Sequence, residues 1–128
     1  MEVRKGLLYS KEHEWVKIEG AKATVGITEY AVHTLGDITF AELSKPGTDV
    51  AQFERLGTVE SVKTASDIFS PLSGKISSVN GKLAESPETL NSSPYGDGWL
   101  VKLDIEDKEE EKKNLMTAEQ YEEYVKTL

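Results

Sequence analysis

The sequence predicts a small, mainly β fold with helices added at its carboxyl end. Short β-prone stretches recur between clusters of Gly, Pro, Asn and Ser, which is typical of strands joined by turns. At 128 residues and 38% hydrophobic content, the chain can bury one modest core. We expect one domain over residues 1–128, with a β core at about 8–105 and an acidic helical extension at about 106–128.

Turn residues bound the first three predicted strands. Trp15 to Ile18 and Ala21 to Ile27 are separated by Glu19-Gly20, which suits a hairpin turn. Ile38 to Leu43 is the third predicted strand, and Lys45-Pro46-Gly47 ends it.

A short helix is predicted between the second and third strands. Thr28 can cap its first turn, and Gly36 follows Leu35 as a stop signal. Ile27 and Val32 have the spacing of a hydrophobic staple, which would fix the entry of the chain into the helix.

A second hairpin places Lys63 near its tip. Leu56 to Val62 and Ala65 to Ile68 are the predicted strands on either side, and Lys75 to Val79 with an Asn80-Gly81 turn follows. A lysine at a hairpin tip has its ammonium group in water. A modifying enzyme can reach it, and a long covalent adduct can swing freely.

The next segment mixes a helical turn, a loop and a last strand. Proline suits a first helical position, so Ser86-Pro87 predicts a helical turn. Asn91 to Gly98 is a predicted loop, and Trp99 to Ile105 closes the set of strands.

The tail is predicted to be helical. Glu106 to Asn114 is a charged helical stretch, and Thr117 with Gln120 forms a capping box for a second helix. Four side chains share one face of that helix and are expected to pack on the β domain: Tyr121, Tyr124, Val125 and Leu128.

Charge and composition exclude several classes of function. The net charge of −8 argues against nucleic acid, because phosphate binding requires a basic surface. The chain has no cysteine, and no apolar run approaches the roughly 20 residues of a membrane span. We expect a cytoplasmic monomer that binds neither nucleic acid nor membrane. The acidic tail is either a solvated helix face or a surface that steers the protein toward basic partners.

Signatures of a self-sufficient enzyme are scarce. The two histidines, His13 and His33, belong to no recognisable Ser/His/Asp set and no metal-ligand spacing. Glu12-His13-Glu14 is a weak metal motif, and a structural role is the simpler interpretation. Gly96-Asp97-Gly98 lacks the third glycine of a dinucleotide-binding turn. No catalytic residue and no metal site are predicted.

The segment around Lys63 resembles the lipoyl-attachment segment of the glycine cleavage system H proteins. That family typically carries Val-Glu-Ser-Val-Lys followed by Ser-Asp and a Ser-Pro turn, as at Val59–Lys63, Ser66-Asp67 and Ser70-Pro71 here. Similar landmarks run from about Leu8 to Leu103. They are Tyr9–Val16 as the opening strand, Gly26–Thr28, Ala31, Leu35–Ile38, Leu43, Pro71–Gly74, Val79-Asn80, Ser86-Pro87, Asn91–Tyr95 and Gly98–Leu100.

The resemblance implies a fold and a cofactor. The fold is the lipoyl-domain or barrel-sandwich architecture, a flattened β-barrel of two antiparallel sheets with short added helices and a C-terminal helix. Lipoate would be attached covalently to Lys63, and the modifying enzyme would recognise the neighbouring residues Glu60, Ser61, Val62, Thr64 and Ala65.

The resemblance also implies a set of partners. A pyridoxal-phosphate decarboxylase (the P protein, glycine dehydrogenase) would load an aminomethyl group from glycine onto the arm. An aminomethyltransferase (the T protein) would pass the one-carbon unit on, and dihydrolipoyl dehydrogenase (the L protein) would reoxidise the arm. A lipoate-protein ligase or an octanoyl/lipoyl transferase would attach it. The chain itself would be a non-catalytic carrier.

A sulfur-bound aminomethyl group is prone to attack by water, so the loaded arm needs shelter. By resemblance, an arm-docking cleft is expected around Glu14, Ile27, Ala31, Leu35, Ser66, Asp67 and Phe69. Glu14 and Asp67 would accept hydrogen bonds from the amino group. The alternative for Ile27, Ala31 and Leu35 is that they are only core residues.

Some positions depart from the family pattern, and other functions stay open. Gln52-Phe53 stands where Lys-Gly is usual, Phe69 where tyrosine is common, and Val32-His33-Thr34 where a Gln-containing helix is usual. Val62-Lys63-Thr64 disfavours the Asp-Lys-Ala of 2-oxoacid dehydrogenase lipoyl domains and the Met-Lys-Met of biotin carriers. The alternatives are an octanoyl/lipoyl relay that supplies 2-oxoacid dehydrogenases, and an unmodified interaction module.

Overall fold

The computed structural model describes residues 1–106 and 109–128. The strands are β1 (Leu8–Tyr9), β2 (Glu14–Glu19), β3 (Lys22–Ile27), β4 (Ile38–Leu43), β5 (Asp49–Val50), β6 (Arg55–Ser61), β7 (Ala65–Phe69), β8 (Gly74–Val79) and β9 (Val101–Ile105). The helices are α1 (Glu29–Leu35), α2 (Lys82–Glu85), α3 (Thr89–Ser92), α4 (Glu109–Lys112) and α5 (Ala118–Lys126). Within these residues no helix is both long and apolar enough to span a membrane.

The strands form two antiparallel sheets, which confirms the predicted fold class. The larger sheet has the order β1-β2-β3-β9-β8-β5, and the smaller has the order β4-β6-β7. Among the described residues no strand ladder joins the two sheets, so the barrel is flattened and not closed.

The hydrophobic core contains residues from both sheets and from α1. Buried and exposed side chains alternate most clearly along strand β9, where Val101, Leu103 and Ile105 are buried while Lys102 and Asp104 are exposed. This alternation puts one face of each sheet in the core and leaves the other in water. From the smaller sheet, Leu56 and Val59 are both fully buried in the same cluster.

Helix α1 forms as predicted. The Thr28 hydroxyl accepts a hydrogen bond from the Ala31 amide at 3.3 Å, which satisfies one of the free amides of the first turn. At the other end, the Gly36 amide donates to the Val32 carbonyl oxygen at 2.9 Å. Gly36 has φ +85°, a conformation that glycine adopts without steric cost. The helix therefore stops immediately before β4.

Four local predictions were wrong or incomplete. The opening strand is interrupted at Ser10–His13, where the Ser10 amide donates back to the Glu14 carbonyl oxygen at 2.9 Å. Strand β5 was not predicted, because two residues carry no periodic signal. The Asn80-Gly81 turn leads into α2, a helix that was not predicted, and α3 occupies the start of the predicted loop.

The carboxyl end packs on the β domain through α5. Its predicted capping box is present, and the Tyr121 ring stacks on Tyr9 with 4.6 Å between centroids. Tyr124 and Val125 also pack in this cluster, but Leu128 is 58% exposed, so its assignment to the packed face was wrong. Of the charged stretch predicted at 106–114, α4 is present, and residues 107 and 108 lie outside the described residues.

Candidate functional site

Lys63 lies in the turn that joins β6 to β7. The Ser61 hydroxyl accepts hydrogen bonds from the Lys63 and Thr64 amides, each at 3.2 Å, and the Ser61 amide donates to the Thr64 carbonyl oxygen at 2.7 Å. A serine that bonds the backbone two and three residues ahead is a turn-forming element. The backbone under Lys63 is therefore fixed, while its side chain is exposed.

The turn is also tied to the end of α1. The Val62 amide donates to the Asp37 carbonyl oxygen at 3.1 Å. A Cβ atom added to Gly36 would lie 3.0 Å from Lys63 Cε, so the lysine methylenes pass directly over a bare stretch of backbone. The attachment candidate is thus braced from two sides, by its own hairpin and by the α1–β4 connection.

The other motif residues surround Lys63 on the surface. Val62 is 69% exposed, and Glu60, Thr64 and Ala65 are exposed as well. Glu60 and Ala65 are cross-strand partners in the β6–β7 ladder. An approaching protein would therefore meet these side chains together with the lysine.

The predicted arm-docking residues divide between the core and strand β7. Ile27 and Leu35 are buried in the core, and Ala31 packs against them while partly buried. Ser66, Asp67 and Phe69 follow the turn on β7, where Asp67 is exposed and the other two are half-buried.

Asp67 already has partners on the strand surface. Its Oδ1 accepts from Arg55 Nε and from the Thr58 hydroxyl, both at 3.2 Å. All three residues are exposed or half-buried, so this ion pair is open to water and contributes little to stability. Asp67 is therefore available to exchange partners at low cost.

Glu14 is fully buried, with 0% of its surface exposed. The Ser10 hydroxyl donates to Glu14 Oε1 at 2.5 Å, and the Phe69 amide donates to Oε2 at 3.3 Å. Burial raises the pKa of Glu14 to about 7, although both hydrogen bonds act in the opposite direction. Its carboxyl group therefore gains and loses a proton near neutral pH.

A cavity of about 840 Å³ opens at the Phe69 end of β7. Its walls come from the β1–β2 turn, the two exposed or half-buried phenylalanines and the segment that precedes α5. The lining residues are Ser10, Lys11, Glu12, Phe53, Phe69, Lys113, Asn114, Leu115, Met116 and Gln120. Two of these lining residues, Ser10 and Phe69, donate hydrogen bonds to the Glu14 side chain. The Glu14 carboxyl group is therefore connected to the cavity through these two residues.

The comparisons with known proteins agree with this arrangement. The family model described as "Glycine cleavage H-protein" matches residues 7–128. The chain belongs to the glycine cleavage H-protein family. This family is the lipoyl carrier of the glycine cleavage system, so the relay and interaction-module alternatives are not favoured.

Individual H proteins match along nearly their whole length. The glycine cleavage system H protein of Brevibacillus brevis is 49% identical over 126 residues, which cover 98% of this chain and 99% of that protein. The one from Thermoanaerobacter sp. (strain X514) is 47% identical over 125 residues, with 98% of each covered. The crystal structure of an H protein from Mycobacterium marinum has a TM-score of 0.81 and 36% identity, covering 98% of each chain.

Most of the cavity in this H-protein family member was not predicted from its sequence. Only Phe69 among the seven predicted arm-docking residues lines it. Two features of the sequence were related to the cavity. One is the departure from the family pattern at Phe53, and the other is the amphipathic face of α5, which predicts that the tail folds back on the β domain. Neither signal identifies Ser10 or Met116 as a wall.

The metal motif considered at Glu12–Glu14 has a different environment. In the part of the chain that the structure describes, no three His, Asp or Glu side chains gather as a metal site. His13 Nδ1 is instead 2.8 Å from the Tyr121 hydroxyl, which is also 2.7 Å from the Thr28 hydroxyl. The His13 ring thus links the β1–β2 turn to helix α5, and through the Tyr121 hydroxyl to the cap of α1.

Proposed function

We propose that Lys63 carries the lipoyl group of this H protein, and that the chain itself is a non-catalytic carrier. The observation that carries the proposal is the braced turn: Ser61 and the Asp37 carbonyl fix the backbone, while the lysine side chain remains exposed. A fixed base lets a modifying enzyme find the amine in one orientation. An exposed side chain leaves the finished arm free to move.

The surroundings fit a hydrocarbon arm that ends in sulfur. Next to Lys63, Gly36 presents bare backbone to the lysine methylenes. At the far end of β7, Phe53, Phe69, Leu115 and Met116 give the cavity apolar walls. When bound, lipoate supplies a dithiolane that can be reduced and reoxidised, a chemistry that a chain without cysteine lacks.

We propose that the docked arm follows β7 from Lys63 to the cavity. Five strand residues at about 3.3 Å each span roughly 16 Å. A lipoyl-lysine arm has about twelve bonds of roughly 1.5 Å, so its extended length is of the same order. Ser66, Asp67 and Phe69 would lie along this course, with Ala31 beside it and Ile27 and Leu35 as its apolar floor.

Glu14 and Asp67 are the proposed acceptors for an amino group at the end of the arm. Asp67 can exchange its exposed Arg55 partner for an ammonium group. Glu14 would have to release the Ser10 hydroxyl, which lies between its carboxylate and the cavity. A cation in the cavity would favour the charged form of Glu14 and lower its pKa.

As a carrier, the protein would serve several enzymes in turn. The proposed partners are the P protein as decarboxylase, the T protein as aminomethyltransferase and the L protein as dihydrolipoyl dehydrogenase, together with a lipoate-protein ligase or octanoyl/lipoyl transferase that modifies Lys63. Attachment gives each enzyme a high local concentration of the arm whenever the carrier docks. The Tyr9–Tyr121 stack supports the further proposal that residues 1–128 act as one domain.

Mass spectrometry of the protein from its native host tests the attachment site. We expect one adduct of lipoyl mass, located on Lys63 by peptide mapping and absent from a Lys63→Arg variant. Lys82→Arg is the matched control, because Lys82 is also exposed but forms a surface ion pair with Asp97, and its adduct should be unchanged. An adduct on another lysine, or none in cells supplied with lipoate, would refute the proposal.

A further inference from the structure

Two exposed apolar side chains flank Lys63. In the described part of the chain, five large apolar side chains are exposed, and two of these are the first and last residues. Of the other three, Phe40 is 47% exposed and Val62 is 69% exposed, and both border the Lys63 turn. Single exposed apolar residues are ordinary, but a pair beside one functional group indicates an interaction surface.

A β-bulge directs Phe40 toward water. In a regular strand, Ile38 and Phe40 would face the same side, because side chains alternate. The register of β4 against β6 shifts between these two residues, so Ile38 is 4% exposed while Phe40 takes the outer face. The Thr39 hydroxyl, which donates to the Glu60 carbonyl oxygen at 3.3 Å, supports the bulge. Bulges commonly redirect a side chain next to a functional site.

The outer face of the small sheet brings Phe40 close to the turn. Phe40 is the cross-strand partner of Glu60, and Glu60 is the partner of Ala65. Adjacent strands are about 4.8 Å apart, so these three side chains form one row that borders Lys63. Val62 stands at the end of this row, where its backbone amide donates a hydrogen bond to the Asp37 carbonyl oxygen.

The charges around this apolar pair are mostly negative. Glu60 and Glu42 point outward on the same face, and Asp37 is exposed beside the turn. Asp67 is paired with Arg55, which leaves Lys63 as the cation at the turn itself. An amide at Lys63 removes that charge. The complementary surface is therefore an apolar depression with a basic rim.

We propose that Phe40 and Val62 form a docking surface for the enzyme that acylates Lys63, an inference that rests on the attachment proposed above. An acylating enzyme must bring its reacting carbonyl carbon within bonding distance of Lys63 Nζ. Its own surface must then cover the turn and the neighbouring strand β4. Enzymes that act on the end of the finished arm work a full arm length away, and contact with Phe40 is not required of them.

The chemistry of acyl transfer to Lys63 determines which side of the carrier faces the enzyme. In a lipoate-protein ligase that uses ATP, the acyl group reaches Lys63 as an acyl adenylate. The neutral Nζ attacks the carbonyl carbon, and the bond from that carbon to the phosphate oxygen breaks. AMP leaves with the bonding electron pair, and the new amide nitrogen gives up a proton to water. Only the turn side of the carrier can face the enzyme during this step.

The test measures octanoylation of the unmodified protein by a lipoate-protein ligase with octanoate and ATP, followed by intact mass. Phe40→Ser and Val62→Ser should each lower kcat/KM at least tenfold, mainly through a higher KM, as for anchor residues of interfaces. Leu128→Ser is the matched control, because Leu128 is 58% exposed but follows α5, which packs on β1. It should stay within twofold of the wild type, and all three variants should keep the wild-type melting temperature within a few degrees.

The outcomes separate this inference from the attachment itself. Wild-type protein that gains no octanoyl group on Lys63 would refute the attachment proposal. Normal wild-type acylation with an unchanged Phe40→Ser variant would overturn the docking surface alone. If Phe40→Ser accepts the acyl group normally but its lipoylated form is a poorer substrate of the glycine decarboxylase, the surface belongs to that enzyme and the inference is wrong.

Discussion

Replacing Glu14 with glutamine tests the most unusual electrostatic feature of the molecule. Glu14 is a carboxyl group with 0% exposure, and its hydrogen-bond partners are the Ser10 hydroxyl and the Phe69 amide. Glutamine has the same shape. Its carbonyl oxygen can accept from the Phe69 amide, and its NH₂ group can donate to the Ser10 hydroxyl oxygen. The variant therefore keeps the contacts and removes only the titration.

The expected magnitude follows from the pKa. Burial raises the pKa of Glu14 from 4.5 in the unfolded chain to about 7 in the folded protein. Because the folded protein holds the proton more tightly, this group favours folding most at low pH. Its contribution is lost as the pH rises from 4.5 to about 7 and stays constant above that. At roughly 1.4 kcal/mol per pKa unit, the loss is about 3 kcal/mol.

Urea unfolding at about pH 5 and about pH 8 measures the effect. The free energy of unfolding of Glu14→Gln, relative to the wild type, should rise by about 3 kcal/mol between these two pH values. Glu19→Gln is the matched control, since Glu19 is exposed at the far end of β2, and its difference from the wild type should change much less between the two pH values than that of Glu14→Gln. His13 acts in the opposite direction, because burial lowers its pKa, but it titrates in every variant and cancels in the differences. A Glu14→Gln difference that does not change with pH would refute the assignment.

Two further predictions concern residues near the same end of the molecule. Tyr121→Phe should lower the free energy of unfolding by about 2 kcal/mol, because the Tyr121 hydroxyl contacts both His13 and Thr28. Urea unfolding measures this difference, and an unchanged midpoint would contradict the prediction. Phe53 has φ +66°, so Phe53→Gly should be about 1 kcal/mol more stable than Phe53→Ala, the reverse of the usual order. Thermal unfolding of the two variants measures this, and the usual order would show that the backbone at this position is unstrained.

Local signals in the sequence were sufficient for most of the helices and strands, whereas the two-sheet architecture was predicted from the family resemblance. Thr28 and Gly36 mark both ends of α1, and the capping box at Thr117 and Gln120 marks the start of α5. These signals work because each depends on residues within one or two turns of each other. Strand β5 has no such signal: it is two residues long and exists because β8 offers a free edge. Its existence depends on the tertiary fold.

The two parts of the candidate site also differ in how far local sequence predicts them. The Lys63 turn is a local structure, in which Ser61 bonds residues two and three positions ahead, and a short segment could therefore predict it. The cavity is assembled from the β1–β2 turn, Phe53, Phe69 and the residues before α5, which are far apart in the sequence. Glu14 illustrates the limit, because resemblance indicated the residue but not its complete burial.

Three costly local features lie at the cavity or next to its lining residues. In the described residues, the non-glycine residues with positive φ are His13 at +72° and Phe53 at +66°. Phe53 lines the cavity, and His13 directly follows the lining residue Glu12. Glu14, next along the chain, is a fully buried carboxyl group behind the wall. Strained backbone and buried charge each lower stability, and they persist where the surrounding structure enforces them. Their proximity at one cavity, away from the Lys63 turn, is what we would expect if the proposed arm-docking region lies there.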